Sequence, residues 1–158
     1  MSNVSTDYSG RTVDLLIFQN TKPSGMQRIT MGFGTAGELT TGVQKVAQTF
    51  TTILLTDIGS VHDQPDYGTN LVASVQTGRT RNGSDLTSAF NLAAANVKNI
   101  MQAAAEANNL PTDEQLSTAV LMDYVLDKDN GKITMTIEIT TVAGTGTTIY
   151  VPVSVPIQ

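Results

Sequence analysis

The residues of this chain that could perform acid–base or nucleophilic chemistry gather around one loop. His62 is the only histidine of the 158 residues, there is no cysteine, and Asp63 and Asp66 are close enough along the chain to orient the imidazole. A serine would complete a triad, but no Gly-x-Ser-x-Gly segment is present to expose one. The pattern therefore predicts a solvated loop histidine rather than a catalytic base or a metal ligand.

Carboxylates alone could support glycoside hydrolysis, which needs two of them across one cleft, one with a raised pKa. The candidates are Glu38, Asp57, Asp63 and Asp66. Nothing in the sequence indicates an apolar pocket around any of them, so we predict that they are helix caps and loop residues. The chain is accordingly not predicted to be an enzyme. A cell-wall hydrolase that acts through these Asp and Glu residues is the alternative interpretation.

Two further segments partly match the sequence motifs of a dinucleotide site and of a calcium site. Residues 32–37 read GxGxxG, but a dinucleotide site needs a buried strand before this motif and a helix that opens inside it, whereas the next helix begins only near Thr41. Residues 127–131 place their glycine one position too early for a calcium loop, and no glutamate follows at the required distance. We predict a hairpin turn there, and neither a cofactor nor a metal site in the chain.

Composition narrows the class of protein further. Apolar residues make up 40% of the chain, enough to build the core of one domain of this length. Charged residues make up only 15%, and a charge-poor surface suits a protein whose faces are covered by neighbours. The net charge of −5 argues against nucleic-acid binding, which needs clustered Lys and Arg. Neither a signal peptide nor a membrane-spanning segment is predicted.

Two amphipathic helices are predicted. The first carries an apolar stripe at spacings of three and four residues, formed by Val43, Val46, Ala47, Phe50, Ile53 and Leu54. Thr41 and Gln44 are placed to cap each other at its start, and Gly59 is expected to end it. The second helix has a similar stripe over residues 86–104 and is expected to end at residues 108–109.

The last forty residues are predicted to form an antiparallel β-meander. Apolar and polar residues alternate over 118–127 and 133–140, with the turn-forming pair Asn130-Gly131 between them. A third strand follows over 149–157. Pro152 and Pro156 have equal parity, so both remove N–H donors from the same side of this strand. They predict an edge strand that is blunted on its outer side.

The opposite edge of this sheet is the predicted place for a partner strand. Residues 118–127 contain no proline and keep their backbone donors. If the strands follow one another in sequential order, alternate residues of this segment point their N–H groups away from the sheet. The set that shares the parity of residue 125 is Ala119, Leu121, Asp123 and Val125. Proline at these positions is expected to block strand addition without unfolding the helices.

The most distinctive unit lies between the two helices. An apolar helix ends in Leu-x-Thr-x-x-Gly, and after a short loop the chain reads Pro-x-Tyr-Gly-Thr-x-Leu. This order resembles the contractile-tail baseplate family, which includes the tail sheath initiators of contractile bacteriophages and related parts of injection systems. The residues that match the family pattern are Leu54, Thr56, Gly59, Pro65, Tyr67, Gly68, Thr69 and Leu71. Ser60-Val61 stands where the family usually has Glu-Arg, so ion pairs of that motif are not carried over.

Together the elements predict an α+β fold. Two amphipathic helices pack on a C-terminal three-stranded antiparallel β-meander, with an extended N-terminal arm over 1–40 and a single domain over 41–158. In the family that the chain resembles, Tyr67 and Gly68 with Thr56 and Gly59 would shape the junction between helix and sheet. Gly68 in particular is expected to adopt a positive φ angle.

The resemblance implies a structural protein of the virion, located in the tail baseplate after assembly in the host cytoplasm. It would initiate the tail sheath by offering a β-sheet edge to strands of the first sheath ring. Its implied partners are the tail sheath protein, the tail tube and baseplate wedge proteins, with several copies, expected to be six, around the tail axis. Neither nucleic acid nor a membrane is an expected partner. Some relatives carry a lysozyme-like label, which keeps the hydrolase alternative open.

Overall fold

The strands that the structure describes in the N-terminal part of the chain are short and paired. The computed structural model describes residues 12, 14–15, 18–21, 28–31, 39–80, 82–127 and 129–155. Strand β1 (Asp14–Leu15) pairs antiparallel with β4 (Leu39–Thr40), and between them in sequence β2 (Phe18–Thr21) pairs antiparallel with β3 (Arg28–Met31). The GxGxxG segment at 32–37 and Glu38 lie outside the described residues.

Both predicted helices are present. They are α1 (Gly42–Leu55) and α3 (Gly83–Asn108), and the apolar stripe of each faces the core. A six-residue helix, α2 (Leu71–Gln76), lies between them and was not predicted, because its short apolar pattern is too brief to show a helical period. It buries Leu71 and Val75 beside the longer helices.

The helix ends agree only in part with the sequence prediction. Asn82 caps α3 by accepting a hydrogen bond from the Asp85 N–H at 2.9 Å, and Asn109 ends it with a left-handed φ of 50°. Thr41 occupies the cap position of α1 but makes no side-chain cap bond, so the predicted capping box is wrong. The helix also ends before Gly59, with Thr56 as an extended C-cap.

The C-terminal sheet is the predicted meander. Strands β5 (Leu116–Asp127), β6 (Lys132–Thr141) and β7 (Gly146–Ser154) are antiparallel and follow in the order β5-β6-β7. The turn between β5 and β6 is a hairpin, as predicted: the Asp127 carboxylate accepts hydrogen bonds from the backbone N–H and the side-chain amide of Asn130, at 3.1 and 2.7 Å. These bonds hold the pKa of Asp127 below its usual value.

The core lies between the helices and one face of the sheet. Alternate residues of β6 are buried there, namely Ile133, Met135, Ile137, Ile139 and Thr141. Phe50 of α1 and Phe90 of α3 are fully buried and belong to the same apolar cluster. The intervening residues of β6 lie on the opposite face, which remains partly or fully exposed. The α+β prediction is therefore confirmed, with one helix more than expected.

Candidate functional site

The residues of the distinctive motif come together at the end of α1, where their hydrogen bonds join α1 to α2 and α3 and not, as expected, a helix to the sheet. The Thr69 N–H donates to the Thr56 carbonyl at 2.7 Å, and the Ile58 N–H donates to the Thr69 carbonyl at 3.1 Å. These bonds form a short parallel bridge between Asp57 and Thr69. The bridge joins the two halves of the motif, and it explains why the helix ends at Leu55: the Thr56 carbonyl bonds to the bridge instead of to a further helical turn.

Gly68 is the point of closest approach in this junction. Its φ is +108°, which confirms the expected positive angle, and a Cβ atom placed there would lie 2.5 Å from the Thr56 carbonyl oxygen. Its own carbonyl accepts a hydrogen bond from the Asn96 side-chain amide on α3, at 2.7 Å. Only glycine fits this position, and α3 holds it in place.

Thr69 links the end of α1 to the start of α2. Its hydroxyl donates to the Leu54 carbonyl at 2.7 Å and accepts from the Leu71 N–H at 3.2 Å, and the side chain is buried. It therefore satisfies one free carbonyl at a helix C-terminus and one free N–H at a helix N-terminus. Thr69 is one of the positions that match the family pattern, whereas Asn96 was not singled out from the sequence.

The remaining motif residues divide between core and surface. Tyr67 is half-buried and lines a cavity of about 190 Å³ together with Ile53, Ile100 and Met101. Burial raises the pKa of the Tyr67 phenol. Pro65 and Gly59 are exposed, as are the adjacent turns of the loop. The junction thus has a buried side that is built from backbone contacts and a surface side that is free to contact other molecules.

The three acidic candidates that the structure describes do not share an apolar cleft. Asp57, Asp63 and Asp66 are all exposed, and so is His62. No group of three or more potential metal ligands occurs within the described residues. Among the described residues the buried carboxylate is Glu114, which was not among the candidates from the sequence.

Glu114 lies in a 3₁₀ turn (Thr112–Glu114) at the N-terminus of α1 and is only 3% exposed. Its Oε2 accepts a hydrogen bond from the Thr12 hydroxyl and forms an ion pair with the Lys45 ammonium at 3.4 Å. Burial alone would raise its pKa, but the bond from Thr12, the charge of Lys45 and the Gly42 N–H outweigh burial, and the pKa lies below its usual value.

The Glu114 carboxylate stabilises the N-terminus of α1, because a negative charge at a helix N-terminus is favourable. The Thr41 side chain makes no such contribution. The Glu114 carboxylate is also held ionised, which is opposite to the protonated state that a general acid of a glycosidase requires.

Two hydrogen bonds at the ends of the strands show which residues direct their backbone N–H and C=O groups toward which neighbouring strand. The Val142 N–H donates to the Gln115 carbonyl at 2.9 Å, so even-numbered residues of β6 direct their backbone groups toward β5. The Val155 N–H donates to the Gly131 carbonyl at 2.7 Å, so odd-numbered residues of β7 face β6. The missing donor of Pro152 therefore lies on the outer side of β7, in agreement with the predicted blunted edge. Pro156 lies outside the described residues.

The first half of β5 has the parity expected from the sequence. The register pairs Val120 with Glu138, an even-numbered residue of β6, so Val120 directs its backbone groups inward. Its neighbours Ala119 and Leu121 consequently direct their N–H and C=O groups outward, where no strand among the described residues pairs with them.

A β-bulge reverses this parity in the second half of β5. The register shifts between Leu121 and Asp123, and Asp123 and Val125 lie opposite even-numbered residues of β6. The expectation that Asp123 and Val125 share the outward parity of Ala119 is therefore wrong, because the bulge inserts one extra residue into the strand. Beyond the bulge the outward-directed residues are Tyr124 and Leu126.

The open face of β5 carries exposed apolar side chains beside Asp123. Val120, Met122 and Val125 are 48%, 59% and 60% exposed. Val120 and Val125 lie opposite Glu138 and Thr134, on the face of the sheet that points away from the helices. Exposed apolar side chains beside an unpaired strand edge are a typical surface for association.

No protein-family model and no curated protein sequence matches this chain. The likeness to contractile-tail baseplate proteins accordingly rests on the motif residues described above. Within the described residues, every helix falls short of the combined length and hydropathy that a membrane crossing requires.

Proposed function

We propose that this chain is a structural protein of a contractile tail baseplate and that it initiates assembly of the tail sheath. The observation that carries the proposal is the free outer edge of β5, a 12-residue strand at the margin of a three-stranded sheet. Addition of a partner strand to such an edge gives affinity through backbone hydrogen bonds and register through alternating side chains. The first sheath ring would supply that strand.

The position of the motif supports the same role. The bridge between Asp57 and Thr69 holds α1 and α2 in fixed relation, and Asn96 ties the bridge to α3, which packs against β5. The edge strand thus packs against α3, which hydrogen bonds connect to α1 and α2. A nucleus for a polymer benefits from such rigidity, because an ordered template loses little conformational entropy when the first subunit binds.

In this proposal the protein acts in the virion, in several copies around the tail axis, beside the tail tube and the baseplate wedge proteins. Residues 119 and 121 receive the incoming strand in the first half of β5. Val120 lies between them on the open face, where it can pack against the side chain of the strand that is added.

Proline at neighbouring positions of β5 tests the proposal. Ala119→Pro removes an outward N–H and should leave the fold intact, whereas Val120→Pro removes an inward N–H that β6 uses and should destabilise the sheet by about 1–3 kcal/mol. Mixed with the sheath protein of the same particle and viewed by negative-stain electron microscopy, wild type should give sheath-like polymers. Ala119→Pro should give none while its thermal melt stays near that of wild type.

Two results would contradict the proposal. Sheath nucleation by Ala119→Pro at the wild-type rate would show that this edge does not receive the strand. Lysis in a turbidity assay on cell walls, abolished by Asp63→Asn or Asp66→Asn, would instead favour the hydrolase alternative.

A further inference from the structure

The outer edge of β5 is interrupted near its midpoint. Directly after the bulge, the Tyr124 N–H donates to the Asp123 Oδ1 at 2.8 Å. Tyr124 is one of the outward-directed residues of the strand, so this bond occupies a donor that an added strand would otherwise use. A bulge combined with a charged side chain is a common means by which an edge strand resists indiscriminate pairing.

The charges around this position are unbalanced. Asp127, at the end of the same strand, lies opposite Lys132 of β6. Asp123 lies opposite Thr136, and the other acid on this face, Glu138, lies opposite Val120. None of the described cross-strand neighbours of Asp123 is a cation, and its carboxylate is exposed. A basic group on an incoming strand would therefore find a complementary charge at this point of the edge.

We propose that Asp123 guards the edge and selects the partner strand. A strand without a basic residue pairs with residues 119 and 121 and stops, because the next outward donor is occupied. A strand that brings a Lys or Arg beside Asp123 draws the carboxylate away from the Tyr124 N–H, which then bonds to a carbonyl of the strand. The preferred occupant is thus an extended segment of a sheath protein with an apolar residue opposite Val120 and a basic residue near Asp123. The inference rests on the proposed function, since it requires β5 to receive a partner strand.

The guard can be tested on the protein alone, without any partner. Amide hydrogen exchange measured by NMR reports the Tyr124 N–H in wild type, Asp123→Ala, Asp123→Asn and Glu138→Ala. We expect Asp123→Ala to speed exchange of this amide about three- to tenfold, the effect of losing one hydrogen bond. Asp123→Asn keeps an acceptor oxygen and should preserve the protection, and Glu138→Ala matches the change in charge and should have no effect.

The amide of Ile137, on the central strand, reports in the same spectra whether the sheet stays folded. Equal exchange rates of the Tyr124 amide in wild type and Asp123→Ala, with the Ile137 rate unchanged, would overturn the proposal that the Asp123 carboxylate occupies this donor.

The selection by charge is tested with two synthetic peptides of alternating Thr and Val, identical except for one Lys or Gln. On the wild-type protein, the Lys peptide should protect the amides of Ala119, Leu121 and Tyr124, and the Gln peptide only the first two. The Lys peptide should bind about five- to tenfold more tightly at low salt, and this advantage should shrink as salt screens the charge. In Asp123→Ala the two peptides should become equivalent.

Identical footprints and affinities on the wild-type protein would overturn the selection. If neither peptide protects any residue of β5, the selection is also overturned and strand addition at this edge fails with it. The exchange rate of Tyr124 in the free protein would still report separately on the guard, so the two failures are distinguishable.

Discussion

Replacement of Gly68 by alanine tests the account of the motif most directly. The substitution places a Cβ atom 2.5 Å from the Thr56 carbonyl oxygen, at a backbone φ of +108°. That oxygen is also the acceptor of the Thr69 N–H, at 2.7 Å. Neither group can move away without lengthening this bond, and Asn96 restrains the Gly68 carbonyl from the other side. The added methyl group is therefore expected to distort the bridge itself.

The magnitude has two parts. A non-glycine residue held at an unfavourable φ costs about 1–3 kcal/mol. Loss or stretching of the hydrogen bond between residues 69 and 56 adds about 1 kcal/mol. We expect Gly68→Ala to lower the free energy of unfolding by about 2–4 kcal/mol in total, which for a chain of this length corresponds to a fall in Tm of about 4–16 °C.

Gly59→Ala is the matched control. Gly59 belongs to the same motif and also has a positive φ, of 80°, but nothing lies within 4 Å of the position of its Cβ atom. This variant retains the cost of a positive φ, about 1–3 kcal/mol, and lacks the collision, so it should lose less stability than Gly68→Ala by about 1 kcal/mol, the value of the bond between residues 69 and 56. Urea unfolding followed by circular dichroism gives both values. Equal losses of stability in the two variants would show that the close approach to Thr56 plays no part.

Two other contacts allow similar tests. Asn96→Ala removes the donor to the Gly68 carbonyl and should lower the free energy of unfolding by about 1–2 kcal/mol. As a control, replacement of the exposed Asn99 on the same helix by alanine should change it by less than about 0.5 kcal/mol. Similar urea midpoints for the two variants would show that the hydrogen bond from Asn96 does not stabilise the fold. Because the folded-state pKa of Glu114 is lowered, its stabilising contribution is present above the unfolded pKa of about 4.3 and is lost as the pH falls through the folded value. Glu114→Gln should therefore be less stable than wild type at pH 7, and the difference should narrow below about pH 4, whereas the exposed Glu106→Gln should follow wild type across the same range.

The helices and the sheet were predictable because their patterns are long. The stripe of α1 repeats over 14 residues and that of α3 extends through a 26-residue helix, and β6 alternates along its whole length. Helix α2 has six residues, fewer than two turns, and a pattern of that length does not distinguish a helix from a loop.

The bulge in β5 was hidden for a different reason. On both sides of it the strand carries apolar residues, so the change of parity leaves no gap in the alternation of Val120, Met122 and Tyr124. A one-residue slip exchanges the two faces of a strand, but the sequence reveals it only when one face is polar. The error at Asp123 and Val125 followed directly from this apolar character.

The polar contacts of the junction depend on residues far apart in the sequence. Asn96 is 28 positions from Gly68, and Lys45 is 69 positions from Glu114. Both partners must be brought together by packing before either contact exists, and neither residue has a local pattern that marks it. Gly68 could be predicted because its requirement is local: a turn after an aromatic residue that needs a positive φ.

The arrangement around Glu114 has a mechanical consequence. Thr12 of the N-terminal arm, Lys45 of α1 and the turn before β5 meet at one carboxylate, and Leu116 begins the edge strand only two residues later. Tension applied to the arm at Thr12 would therefore act on Glu114, two residues before β5, and at the same time on Lys45 of α1. Glu114 thus connects the arm to the start of β5. A protein that binds the arm and pulls on it would also exert force on the strand to which a partner strand would add.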